Sequence, residues 1–294
     1  MRPRLSVIVV FHNMRREAKR TLFSLTARYQ RGIAAEDYEV IAIDNASTAP
    51  LDREEVEACG DQFRYVHHQT SSVSPVGAVN LGVDLARGDQ VMVCIDGARI
   101  LSPRILSCTA TAFRAFTSPF VCTLGLHLGQ EVQNLSMTKG YGQGSEDALL
   151  DSVDWHANGY ALFTVSALAM SSRGGWFSSI TESNCFALAR EEFYRIGGFH
   201  AGFQSPGGGL VNLDFFRLAC QAPELTPVML LGEGTFHQFH GGVATNVPVG
   251  AHPFPQFAEE YVRIRGTPYE PPTFSPHFLG HLSPEARRFL APAP

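Results

Sequence analysis

DQVMVCIDGARILSP, residues 89–103, is the stretch on which the fold turns. Gln90 to Ile95 is a run rich in Val, Ile and Met, with the carboxylate of Asp96 at its C-terminal edge and Gly97 directly after it. A run apolar on both faces reads as a central strand of a sheet covered on both sides. Ligands of such sheets sit beyond the carboxyl ends of the strands. An aspartate there, followed by a glycine that lets backbone approach, is placed for a phosphate-bound metal or a ribose hydroxyl. It would equally serve to cap the turn that follows.

Working outward from this stretch, strand and helix patterns alternate. Leu5 to Val10 is strand-like, and Met14 to Tyr29 puts Met14, Ala18, Leu22, Leu25 and Tyr29 on one helical face. Tyr38 to Ile43 is a second strand whose end carries Asp44, Asn45 and Ser47, small polar side chains suited to a ligand or to their own loop. Arg64 to His68 is a short third strand. Ser74 and Pro75 then open a helix with Val79, Val83 and Ala86 on one face, closed by Gly88. Downstream, Ser102 and Pro103 start a helix with Ile105, Thr109, Ala112, Phe113 and Phe116 facing inward, and Phe120 to Leu128 is the next strand. The alternation predicts an α/β fold with a doubly wound, mostly parallel sheet and helices on both faces. Between the first strand and first helix stands FHNMRRE rather than G-x-G-x-x-G, which argues against a dinucleotide-binding domain.

The second half is less periodic. Residues 129–156 accumulate Gly, Gln, Ser and Asn and read as a long functional loop. Asn184 to Leu188 is a strand, Glu191 to Ile196 a short helix, and SPGGG at Ser205 to Gly209 precedes a helix over Val211 to Cys220 with Asp214 as an exposed acid. Val228 to Leu231 is a strand leading into GEGTFHQFHGG. From Asn246 the chain is rich in Pro, Phe and His and reads as an extension wrapping over the domain or towards a partner. The organisation expected is a domain over 1–245, divided into halves at 128/129, with a Pro-rich extension over 246–294.

Composition narrows the function classes. The 294 residues are 45% hydrophobic and 17% charged, enough to bury a substantial core. A net charge of -5 with no basic cluster argues against nucleic-acid binding. The apolar run at the N-terminus is short and meets His12 and Asn13 at once, so it reads as a strand and not a secretory signal. Tyr160 to Met170 is the nearest approach to a membrane span and falls short of the ~18 apolar residues needed, so a soluble cytoplasmic protein is expected. Six cysteines without a C-x-x-C read as reduced, structural thiols.

Five segments taken in order resemble the inverting family 2 glycosyltransferases with a GT-A fold. They are SVIVVFHN, EVIAIDNAST, SPVGAVNLGVDLARGD, IDGARILSP, and NCFALAREEFYRIGGF with the DFFRLAC helix beyond it. The resemblance implies transfer of a sugar, with inversion, from a nucleotide-sugar donor to a glycan or lipid-linked acceptor, as in polysaccharide biosynthesis. It implies that Phe11, His12 and Asn13, with Asp44, Asn45 and Ser47, hold the nucleoside, and that Gly77 and Asn80 approach the nucleotide. Asp96 matches the first acid of the D-x-D element, which holds Mn²⁺ or Mg²⁺ against the diphosphate, with Gly97, Ala98 and Arg99 lining the same turn.

Two positions depart from the pattern. Ala98 stands where the second acid belongs, so a metal would rest on Asp96 and on one of His237 and His240, while Arg99 would partly replace it by meeting phosphate directly. A spacing of three on a strand puts these two histidines on opposite faces, so only one is expected to point inward unless the chain turns. Val211 and Asn212 stand where the family carries its E-D pair, which leaves Asp214 and Glu182 as candidate bases. The alternative reading is an inactive GT-A module that binds nucleotide-sugar or glycan as an interaction domain. Peripheral membrane association, and self-association through the C-terminal extension, are compatible with either.

Overall fold

The structure, a computed structural model, describes residues 2–290. The chain runs β1 (Leu5–Phe11), α1 (Arg15–Ser24), β2 (Tyr38–Asn45), α2 (Arg53–Glu57), β3 (Phe63–His68), α3 (Val76–Leu85), β4 (Gln90–Cys94), β5 (Arg99–Leu101), α4 (Ile105–Ala115) and β6 (Pro119–Leu128). It continues through α5 (Gln133–Ser136), α6 (Gln143–Asp151), β7 (Ser166–Leu168), β8 (Cys185–Ala189), α7 (Arg190–Arg195), α8 (Val211–Gln221), β9 (Thr226–His237), α9 (Phe254–Arg265) and β10 (His277–Gly280). The strands form one sheet in the order β10-β9-β6-β8-β4-β1-β2-β3, with β5 added to β9 and β7 to β6. Pairing is parallel through β4, β1, β2 and β3 and again through β6, β9 and β10, while β8 runs antiparallel between β4 and β6.

The apolar runs that identify the central strands do so because both faces are covered. Ile8, Val10, Ile41, Ile43, Val91 and Val93 join one buried cluster with Val79 and Val83 of α3. The alternate residues Val7, Val9, Val40, Ala42, Met92 and Cys94 join a second with Ala18 and Leu22 of α1 and Ile105 of α4. Helices on both faces are thus the physical counterpart of period-two burial on both sides. The first helix is shorter than expected: it ends at Ser24, and Tyr29 crosses to the opposite cluster from Leu22 and Leu25.

Three expectations for the second half are corrected. Residues 129–156 are not one loop, since they contain α5 and α6, and α6 is tied to α1 by Arg16 and Arg20 paired with Asp147. The strand expected over Val228 to Leu231 is β9, twelve residues long, because GEG is a bulge within it. Gly232 takes φ +77° there, and Glu233 turns inward to accept hydrogen bonds from Ser102 Oγ and the Arg104 amide. The segment after 245 is not without periodicity. Phe257 and Tyr261 of α9 and Phe289 are buried in the main core, and β10 pairs with β9.

Candidate functional site

The site grows from the turn after β4. The Gly97 amide donates to Val10 O (2.8 Å), and Thr21 Oγ1 donates to Gly97 O (2.6 Å), so the chain crosses hard against the end of β1. A Cβ on residue 97 would lie 2.2 Å from Phe11 Cδ1 and 2.7 Å from Val10 O, which is why glycine stands there. Asp96 Oδ1 accepts the Ala98 amide at 3.0 Å, so the turn-capping role is real. It leaves the rest of the carboxylate free. The chain then enters β5, where Arg99 pairs across from His237 at the end of β9.

That pairing brings the histidines to the aspartate. His237 Nε2 lies 2.9 Å from Asp96 Oδ2, His240 Nε2 lies 3.7 Å from Asp96 Oδ1, and the two Nε2 atoms are 3.2 Å apart. Both histidines therefore face the aspartate, the case the strand rule leaves open when the chain turns between them. β9 stops at His237, and Asn246 Oδ1 collects the amides of His240, Gly241 and Gly242, with Gly241 at φ +84°, so the chain turns back on itself. Arg99, 3% exposed, sets its Nε 3.7 Å from Asp96 Oδ2, and that Nε is buried without a hydrogen-bond partner among the described residues.

The hydrogen-bond network determines what these atoms offer. Gln133 Nε2 donates to His237 O (3.0 Å) and Asn246 Nδ2 donates to Gln133 Oε1 (2.9 Å), which fixes Oε1 as the acceptor facing His237 Nδ1 at 2.8 Å. His237 then carries its proton on Nδ1 and turns the Nε2 lone pair towards Asp96. Burial pulls His237 down to about 4, against the raising effect of Asp96, so the ring is neutral at pH 7. Burial would push Asp96 up, but His240 and His237, once protonated at acid pH, and Arg99 more than offset it and hold it well below the usual carboxylate range. A carboxylate oxygen and an imidazole lone pair at 2.9 Å repel unless a cation lies with them. Asp96, His237 and His240 present their ligand atoms within 4.8 Å of one another, a donor set that fits a divalent ion.

The nucleoside candidates are brought together, mostly by bonds among themselves. His12 Nδ1 donates to Asn45 O (2.8 Å), the Asn13 amide to Ser47 Oγ (2.8 Å), and Asn13 Oδ1 accepts from Thr48. Asp44 is buried, and its two oxygens accept the amides of Ser47 and Leu51, both at 2.9 Å, so it shapes the loop. Asn45 keeps its Oδ1 buried without a partner among the described residues. Gly77 abuts His68, whose Cε1 would lie 3.1 Å from an added Cβ. Asn80 is committed elsewhere, its amide exchanging both hydrogen bonds with the backbone of Phe199. Asp44 and Asp96 end strands separated by β1, about 10 Å at the usual spacing.

The two candidate bases separate clearly. Asp214 is not an exposed acid: it is 2% exposed and gripped by Arg265 of α9 through Nε at 2.9 Å and Nη2 at 2.5 Å. Glu182 is half-buried, and its Oε2 accepts from Asn212 Nδ2 at 3.0 Å. Sequence reasoning passed over Gln133, Asn246 and Glu146, whose Oε2 accepts the Phe239 amide at 2.6 Å and so holds the strand end carrying the histidines. Nothing in their local sequence marks them, because the contacts that tie Gln133, Glu146 and Asn246 to one another and to β9 span 93 to 113 residues.

A family model described as Glycosyl transferase family 2 matches residues 6–105, a segment that contains Phe11, Asp44, Gly77 and Asp96. His237, His240, Glu182 and Asp214 lie outside the matched family segment. The crystal structure of S. aureus TarS superposes with a TM-score of 0.54 at 13% identity, covering 91% of this chain and 40% of that one. That of S. aureus TarS 1-349 gives 0.51 at 14% identity, over 80% and 60%. Its complex with UDP gives 0.49 at 14% identity, over 73% and 55%. The first two likenesses support the GT-A type of fold expected from the sequence, and the chain spans 40% to 60% of the length of the structures it matches. No curated protein matches the chain.

Proposed function

We propose that the protein is a nucleotide-sugar-dependent glycosyltransferase acting with inversion on a glycan or lipid-linked acceptor, with the donor diphosphate bound at Asp96. The observation that carries this reading is the convergence of Asp96, His237 and His240 at the carboxyl edge of a sheet whose first half is a family 2 segment. Two imidazoles supply what Ala98 cannot, and a set of one carboxylate and two nitrogens favours Mn²⁺ over Mg²⁺, which prefers oxygen. A divalent ion bound there would neutralise charge on the leaving diphosphate. Arg99 presents a buried guanidinium beside the same carboxylate and suits a phosphate oxygen. The nucleoside would rest against the loop of His12, Asn13, Asn45 and Ser47, with Gly77 leaving room beside His68.

Among the described residues no helix is long and apolar enough to cross a membrane.

Thermal unfolding with UDP, GDP or TDP, each with and without Mn²⁺, tests the binding step. A nucleotide at 100 times its Kd adds about 2.7 kcal/mol of stability. We expect one of the three to raise the melting temperature more with Mn²⁺ than alone, and His237→Ala to remove the Mn²⁺ increment. No shift with any nucleotide would refute the reading. Ala98, buried without a ligand atom, favours the second reading of a binding module, which is the outcome if nucleotide binds and no donor is ever turned over.

A further inference from the structure

We propose that Glu182 is the general base of the transfer, positioned by Asn212; this rests on the glycosyl transfer proposed above. β8 runs antiparallel to β4 with Cys185 opposite Cys94, and the Ile95 amide donates to Asn184 O (3.3 Å). Continuing that register places residue 183 beside Asp96 and residue 182 beside Gly97, one strand spacing, about 5 Å, away in backbone. Glu182 therefore stands at the same edge as the diphosphate-binding carboxylate. From the other side α8 delivers Asn212, 6% exposed, whose Nδ2 holds Glu182 Oε2 while its own Oδ1 is buried without a donor.

Elimination among the nearby carboxylates points the same way. Asp44 spends both oxygens on backbone amides. Asp214 is neutralised by Arg265, Glu146 holds the Phe239 amide and meets Arg16, and Glu260 holds the amides of Gln204 and Ser205. Glu182 has a neutral amide for its partner, and among the described residues no cation pairs with it. The groups facing it are the Tyr269 hydroxyl, which donates to Thr181 O at 3.5 Å, with Tyr261 and Arg217 bonded to each other beyond it. Burial first, then the Glu182 charge, pushes Tyr269 up, so that hydroxyl stays protonated.

In the step itself the Glu182 carboxylate takes the proton from the acceptor hydroxyl as its oxygen bonds to the anomeric carbon. The bond from that carbon to the diphosphate breaks, and the electron pair leaves on the diphosphate oxygen. Glu182 then returns the proton to solvent.

The test is Glu182→Gln, read by donor hydrolysis, in which water stands in for the acceptor, alongside nucleotide binding by calorimetry. We expect kcat to fall by ~10² or more, the donor KM and nucleotide affinity to hold, and the acidic limb of the pH–kcat profile to disappear. Asn212→Ala should keep that limb but move its midpoint, and Asp214→Asn should keep it in place. Glu182→Gln retaining the limb, staying within threefold of wild type, or losing nucleotide affinity along with turnover would overturn the assignment. A wild type that binds nucleotide yet hydrolyses no donor also overturns it, in favour of the module. A wild type that binds no nucleotide removes the glycosyl-transfer reading and the base with it.

Discussion

Replacing Arg265 with Met isolates the role of Asp214. The substitution keeps the aliphatic stem and removes the guanidinium that meets both carboxylate oxygens, leaving a 2% exposed aspartate without its cation. Breaking a buried pair by deleting one partner costs about 3–5 kcal/mol, because the remaining charge is stranded. At about 2 °C per kcal/mol for a domain of this size, the melting temperature should fall by about 6–10 °C at pH 7. Asp214→Leu combined with Arg265→Met should recover most of the loss, since a packed apolar pair replaces a desolvated ionic one. The assay is thermal unfolding by circular dichroism from pH 4 to 8, with donor turnover measured below the transition. An Arg265→Met protein with an unchanged melting temperature, or one whose stability is wild-type while turnover collapses, would refute the structural reading of Asp214.

Two further changes probe the turn and its support. Gly97→Ala should cost about 1–3 kcal/mol, because the added Cβ meets both the Phe11 ring and the immovable Val10 carbonyl; chemical denaturation measures it. Glu146 is raised to about 7, by burial before any other cause and against the pull of Phe239 and Arg16. Its folded pKa exceeds the unfolded value, so its contribution should favour the fold at acid pH and fade as pH climbs from about 4.5 to about 7. Glu146→Gln should flatten that slope in a stability–pH series.

The first half of the fold is legible because β1, β2 and β4 are buried on both faces and their apolar runs have no other reading. Asp96 is legible for the same reason, since a polar residue ending such a run stands out. The rest depends on distant partners. GEG looks like a turn until Glu233 is seen bonded to Ser102 and Arg104, more than a hundred residues earlier. The helical position of Asp214 says surface, and only Arg265, 51 residues on, takes it inside. The two histidines obey the alternation of a strand only as far as His237, after which Asn246 folds the chain back. A period rule cannot register a strand's last residue when a later side chain sets it.

The position of β8 has a consequence for the order in which the molecule can be assembled during synthesis. β4, the strand that aims Asp96, is flanked on one side by β1 and on the other by a partner 91 residues further along. A nascent chain ending near residue 128 would present β4 as a bare apolar edge, and β6 would have neither β8 nor β9 to lie against. Such edges invite pairing with other chains, and closing them over long sequence separations is slow. The half that carries Asp96 is thus an early sequence but a late structure, and Asp96, His237 and His240 first meet only when β9 has left the ribosome.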